Sequence, residues 1–148
     1  MVGGLLMTAW PVETIPDADS LFYRVSLGWL RPGNLTYHPG IFRENKGSIS
    51  ADWEKYSTAS ETRARPGRPE RFAVIRMIAG QVRGIVGLTV IHSPTRNVPG
   101  LPDNRAHTCI YGLESHTSPQ ELGRKERIRT ELHKLFNTWE IAPNAPVD

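Results

Sequence analysis

Two histidines border the most polar loop of the chain and are the first candidates for chemistry. His92 ends the apolar run before this loop, and His107 begins the apolar run after it. If the two runs are antiparallel strands, we expect the two imidazoles to lie close together. Such a pair supplies a general base and a general acid near neutral pH, and Arg105 can stabilise an anionic transition state. As one alternative, the pair predicts a metal-independent enzyme that processes RNA or a nucleotide. In the competing interpretation, both histidines are polar residues at strand ends without a catalytic role.

The loop itself, residues 91–111, gathers side chains suited to binding. Loops on a rigid scaffold often hold functional residues. Two arginines from the first part of the chain join this group, because aromatic residues surround them in the sequence. The predicted binding residues are Arg24, Arg43, Arg96, Asn97, Asp103 and Asn104.

Aromatic residues are concentrated in the first 60 residues, which contain eight of the chain's twelve. Aromatic side chains near arginines are typical of the core of a protein interface, and they can also stack on bases. The first hypothesis is therefore a small binding or accessory module for a protein partner. A nucleic-acid binder without catalysis is a further alternative, and we expect a protein partner more than a nucleic acid.

Several kinds of site lack their motif in this sequence. The histidines and the single cysteine have no HxH, HExxH or CxxC spacing, so we expect no metal. A GxSxG turn, a Walker loop and a GxGxxG loop are also missing, and we expect no cofactor. Cys109 falls in an apolar run and is interpreted as a small core residue.

Charge and hydropathy narrow the partners and the cellular location that we expect for the protein. The net charge of +3 lies wholly in residues 66–148, and arginines outnumber lysines by fourteen to four. Arginine suits bidentate contacts with phosphate or carboxylate, yet so small a net charge is weak support for nucleic-acid binding. No run approaches the roughly 20 apolar residues of a membrane helix. We therefore expect a cytoplasmic protein with no membrane association.

Length and apolar patterning predict a single α+β domain over residues 1–148, with an irregular lead-in at 1–20 and a tail at 141–148. We expect a small mixed or antiparallel sheet with short helices. Strand composition is clearest at residues 21–25, 72–77, 88–91 and 107–111, and the last three predict a three-stranded core.

Helix signals occur at three places. Ser50 is a possible N-cap for a helical turn over residues 51–56, and Thr58 with Glu61 forms a capping-box pattern. The clearest helix begins after Ser118, with proline at its first position. Its apolar residues recur at helical spacing and predict an amphipathic C-terminal helix packed on the sheet. They are Ile128, Leu132, Leu135, Phe136 and Trp139.

Three short segments resemble parts of small bacterial proteins of uncharacterised function. These segments are IPD followed by LFYRV near the start, GSISADW in the middle, and PDNRAHTCIYG late in the chain. The matching positions are Ile15, Pro16, Asp17, Leu21, Tyr23, Arg24, Asn104, Ala106 and His107. The resemblance implies no particular activity, but it makes Arg24 and His107 the first positions to mutate.

Overall fold

The structure is a computed structural model that describes residues 10–30, 38–113 and 118–147. Within these ranges, six strands form one antiparallel sheet in the order β4-β5-β2-β1-β3-β6. The strands are β1 (Ser20–Ser26), β2 (Ser48–Trp53), β3 (Phe72–Ile78), β4 (Thr89–His92), β5 (His107–Tyr111) and β6 (Trp139–Ile141). The fold is therefore α+β with an antiparallel sheet, which confirms the predicted fold class.

Three α-helices accompany the sheet in the described part of the chain: α1 (Ala59–Ala64), α2 (Ala79–Arg83) and α3 (Pro119–Leu135). The predicted caps of α1 and α3 are confirmed. Thr58 accepts from the backbone of Glu61, whose side chain accepts in return from the backbone of Thr58. Ser118 accepts from the backbone of Glu121 at the start of α3. These caps satisfy backbone donors that would otherwise lack partners at the helix starts.

The sheet has two different faces, because successive side chains of a strand point to opposite sides. One face, which we call the core face, packs against α3 and is apolar. Ile128 and Leu132 of α3, and Phe136 just after its end, are buried in the same cluster as Tyr23, Ile49 and the other inward strand residues. The second face, which we call the open face, has polar residues on β2 and is partly covered by α1, which packs on β1 and β3.

The structure corrects several element predictions. β3, β4 and β5 do not form the predicted three-stranded core, because β1 and β2 lie between β3 and β5 in the sheet. Residues 48–53 form strand β2 and not the start of a helical turn, because Ser48–Asp52 pair with β5 along their length. Trp139 lies beyond the end of α3 in strand β6, where it pairs with β3. The tail predicted at 141–148 therefore begins inside β6. Leu135, which was predicted on the apolar face of the helix, is exposed.

Candidate functional site

The two central strands of the sheet, β1 and β2, separate along part of their length and form a fork-shaped gap on the open face. β1 pairs with β3 over seven residues, and β2 pairs with β5 over five, but β1 and β2 pair only at Leu21–Trp53 and Phe22–Asp52. Beyond Asp52 the two strands diverge. A cavity of about 500 Å³ lies in this gap, which we call the fork cavity. Its polar lining comes mainly from Arg24, Arg43, Glu44, Asn45, Ser50, Asp52, Thr62, Arg65, Asn104 and His107.

Asp52 lies at the closed end of the fork and holds three elements together. Its carboxylate is almost fully buried and accepts from the Thr62 hydroxyl at 2.8 Å and from Arg65 Nε at 3.1 Å. Asn104 Nδ2 donates to its other oxygen at 2.9 Å. A buried carboxylate with three donors is well satisfied. Asp52 therefore fixes one end of the cavity and has little capacity left for a ligand.

Arg24 presents a positive charge to the cavity without a matching carboxylate. Its Nη1 donates to the Thr62 carbonyl at 3.0 Å, and its guanidinium lies 5.4 Å from the centre of the Phe72 ring. Burial lowers the pKa of Arg24 below its ordinary value, attraction to Asp52 opposes this effect, and repulsion by Arg65 adds to it. None of the ion pairs among the described residues includes Arg24.

Arg43 supplies a second cation to the cavity. Its backbone N–H donates to the Tyr23 hydroxyl at 3.0 Å, which in turn donates to the Ile41 carbonyl at 2.6 Å. Burial raises the pKa of Tyr23 to about 12, so the phenol stays neutral and performs both roles. The guanidinium lies 5.0 Å from the centre of the Trp29 ring. The ion pairs of the described residues do not include Arg43 either.

His107 and Ser50 are diagonal neighbours on β5 and β2, at the rim of the cavity. His107 Nδ1 lies 2.8 Å from the Ser93 carbonyl oxygen, and its Nε2 lies 3.4 Å from Ser50 Oγ. A carbonyl oxygen only accepts, so the neutral ring has its proton on Nδ1. The unprotonated Nε2 therefore faces the serine hydroxyl.

His92 lies on the other side of the sheet. It pairs with Thr108 in the β4–β5 ladder, so its ring points to the core face while His107, one residue earlier on β5, points to the open face. The backbone N–H of Glu13 donates to His92 Nδ1 at 3.0 Å, and Nε2 donates to the Arg105 carbonyl at 2.7 Å. The strands are antiparallel as expected, but their register does not bring the two imidazoles into one site.

The remaining predicted residues lie outside the fork cavity. Arg105 and Arg96 belong to a separate cluster around Trp10, with Arg105 also lying 4.3 Å from the centre of the Tyr56 ring. Asn97 and Asp103 close the tip of the loop, where the Asn97 backbone donates to Asp103 at 2.9 Å. Of the nine predicted site residues, the cavity therefore brings together four, namely Arg24, Arg43, Asn104 and His107.

Sequence reasoning missed six polar residues of the cavity, among them Ser50, Asp52 and Arg65. The alternation of polar residues at Ser48, Ser50 and Asp52 is the strand signal that could have placed the first two on one face. Arg65 had no such signal, because it reaches the cavity only through its contact with Asp52 across the fold.

The charges that line the cavity suit an anion. Its two carboxylates are already paired, Asp52 with Arg65 and Glu44 with Lys125 and Arg129, whereas Arg24 and Arg43 have no carboxylate partner among the described residues. Guanidinium groups beside aromatic rings in a partly enclosed site favour phosphate or carboxylate. Asn104 and His107 add polar groups at the rim.

No family model, curated protein or solved structure matches this chain. In the described ranges, no group of three or more His, Cys, Asp or Glu side chains is placed to hold a metal ion. The same ranges contain no helix with the length and hydropathy needed to cross a membrane.

Proposed function

We propose that this chain is a binding module that receives a small anionic molecule in the fork cavity. The observation behind this proposal is Arg24, a partly buried cation of the cavity that none of the ion pairs among the described residues includes. A negatively charged ligand would supply the missing partner. The proposal keeps the binding role expected from the sequence and makes its ligand a small molecule.

The size and walls of the cavity favour a ligand with both an anionic group and a ring. A volume of about 500 Å³ lies within the usual range for small-molecule sites. Phe22, Trp29 and Phe72 contribute aromatic surface next to the guanidinium groups. A phosphate or carboxylate attached to a planar group would use both features.

Phenyl phosphate tests this proposal by isothermal titration calorimetry. We expect binding to the wild-type protein, and at least a tenfold weaker affinity for Arg24→Gln, since a hydrogen bond to a charged group contributes about 1.5–3 kcal/mol. Arg127→Gln is the matched control, because Arg127 is exposed on α3 far along the chain from the cavity residues. We expect this control to bind as the wild type does. Inorganic phosphate should bind more weakly than phenyl phosphate, because it lacks the ring.

Two outcomes would overturn the proposal. One is the absence of phenyl phosphate binding at millimolar concentration in a folded protein. The other is equal loss of affinity in the Arg24 and Arg127 variants, which would indicate attraction to the general positive charge. Salt-sensitive binding of a short RNA with no binding of phenyl phosphate would favour the nucleic-acid alternative instead.

A further inference from the structure

The fork cavity contains a nucleophile beside a base. We infer that Ser50 and His107 form a catalytic pair that hydrolyses an ester of a small anionic compound bound in the fork cavity. This inference rests on the proposed function for the charge of the substrate. It extends that function from binding to turnover.

The orientation of the His107 ring supports this role. A general base needs a lone pair directed at the nucleophile and a third group that fixes its tautomer. The Ser93 carbonyl holds the Nδ1 proton at 2.8 Å, which leaves the Nε2 lone pair directed at Ser50 Oγ at 3.4 Å. That distance is at the outer limit for a hydrogen bond, and such contacts commonly shorten when the substrate binds.

The position of Ser50 gives a substrate access to its hydroxyl. Ser50 is exposed, and both Ser50 and His107 line the cavity that Arg24 and Arg43 also line. The missing GxSxG motif does not exclude this arrangement, since that motif holds a serine on a strand-to-helix turn. Here the serine projects from the middle of β2, and the neighbouring strand β5 supplies the base.

The reaction proceeds in two balanced steps. In the first, Ser50 Oγ forms a bond to the ester carbonyl carbon while its proton moves to His107 Nε2. The bond to the leaving oxygen then breaks, and that oxygen takes the proton from Nε2 as the alcohol departs. In the second step, water attacks the acyl-serine, His107 Nε2 accepts the water proton, and Ser50 Oγ recovers it as the acid is released.

Arg24 and Arg43 hold the anionic group of the substrate. Positive charge in the cavity also favours the negative charge that develops on the carbonyl oxygen. The two arginines are therefore binding residues for this reaction, and Ser50 and His107 are its catalytic residues.

The first test is covalent labelling with a fluorophosphonate, followed by intact-mass and peptide mass spectrometry. We expect one label, on Ser50, formed with loss of fluoride, and no label on the Ser50→Ala protein. His107→Ala should slow labelling by about a hundredfold or more, because general-base catalysis contributes at least that much. Ser60→Ala is the matched control, since Ser60 is exposed on α1 outside the cavity, and it should label like the wild type.

The second test compares two aryl acetates, 4-acetoxybenzoate and its methyl ester, of which only the first is charged, each measured against its own buffer rate. We expect hydrolysis above the buffer rate, lost in Ser50→Ala and His107→Ala, with a lower KM for the charged ester. Arg24→Gln should raise the KM of the charged ester more than that of the neutral one. Folding of each variant is checked by its circular dichroism spectrum and thermal unfolding.

The outcomes separate this inference from the proposed function. If phenyl phosphate binds but Ser50 is not labelled and neither ester is hydrolysed, the catalytic pair is wrong and the binding site stands. If Ser50→Ala hydrolyses at the wild-type rate, the pair is likewise wrong. If Ser50 is labelled and both esters react without preference for the charged one, the pair stands and the anion site is wrong.

Discussion

The two loop-bordering histidines show how one residue type takes two roles according to the face of a strand. His92 is 2% exposed, packs against Trp53, and uses both ring nitrogens in hydrogen bonds to the main chain. His107 uses one nitrogen for the main chain and directs the other towards Ser50. Both nitrogens of the first histidine are thus bonded to the main chain, whereas one nitrogen of the second faces a side chain of the fork cavity.

Alanine substitutions should separate these two roles. His92→Ala removes a buried ring and leaves a backbone donor and acceptor without partners, so we expect a loss of about 3 kcal/mol in the free energy of unfolding. His107→Ala should cost only about 1 kcal/mol, since the ring is partly exposed and loses one main-chain bond. Urea unfolding at neutral pH measures both values. Equal losses in the two variants would contradict these roles.

Asp52 is the residue that joins β2, α1 and the loop before β5. Asp52→Ala leaves Arg65, Thr62 and Asn104 without their shared acceptor. Breaking a buried ion pair on one side commonly costs 3–5 kcal/mol, and because Arg65 is partly exposed we expect about 3 kcal/mol here. The check is the urea-unfolding free energy, with Glu126→Ala on the exposed surface of α3 as the control. A loss below about 1 kcal/mol would show that this network is not needed for stability.

Among the elements, the fork is the gap between the unpaired lengths of β1 and β2. β3 pairs with the outer edge of β1 over its full length and β5 with the outer edge of β2 over five residues, whereas the facing edges of β1 and β2 share only two residue pairs. α1 then covers part of the open face, with its capped start directing Thr62 towards Asp52. The cavity is thus produced by strand pairing across the sheet and by one short helix.

Glu44 lines the fork cavity and forms ion pairs with Lys125 and Arg129 of α3. These pairs predict that the stability of the fold depends on pH. Burial is the largest single effect on the pKa of Glu44 and raises it, but the hydrogen bonds from Lys125 and the backbone, together with the charges of Lys125 and Arg129, outweigh it. The folded-state pKa therefore lies below the ordinary value of 4.5. A lowered carboxyl pKa stabilises the fold above the unfolded-state value, and this contribution is lost as pH falls through the folded-state value.

Glu44→Gln should therefore lower the unfolding free energy at neutral pH, and the difference from the wild type should shrink as the pH falls below about 4.5. Urea unfolding at about pH 7 and about pH 3 measures this change. Glu126→Gln, on the exposed side of α3, is the control and should show no comparable pH dependence. An equal effect of Glu44→Gln at both pH values would contradict the role of the ion pair.

Local signals in the sequence were sufficient for some elements and not for others. The caps at Thr58 and Ser118 were identified because each depends on residues three positions apart. β2 was missed because a serine before a polar–apolar mixture also resembles a helix start, and only pairing with β5 decides between the two. The fork cavity depends on strand register and on the contact between Arg65 and Asp52, thirteen positions away, which local patterns do not specify.

Across the whole molecule, the described residues pair most cations of α3 with a carboxylate. Arg124 pairs with Glu121, Lys134 with Glu131, and Glu44 binds two more cations of this helix. In the fork cavity, by contrast, Arg24 and Arg43 belong to none of the ion pairs found among the described residues, and the same is true of Arg96 and Arg105 around Trp10.

Chemical-shift mapping on the ¹⁵N-labelled protein shows whether an anion binds between β1 and β2. During titration with phenyl phosphate, the largest and saturable amide shifts should fall on residues lining the fork, including Arg24, Arg43, Ser50 and Asn104. The α3 surface and the loop tip at Asn97 should change little. Largest shifts at the Trp10 and Arg96 cluster, shifts spread along α3, or no saturable shift at all would contradict a ligand site between β1 and β2.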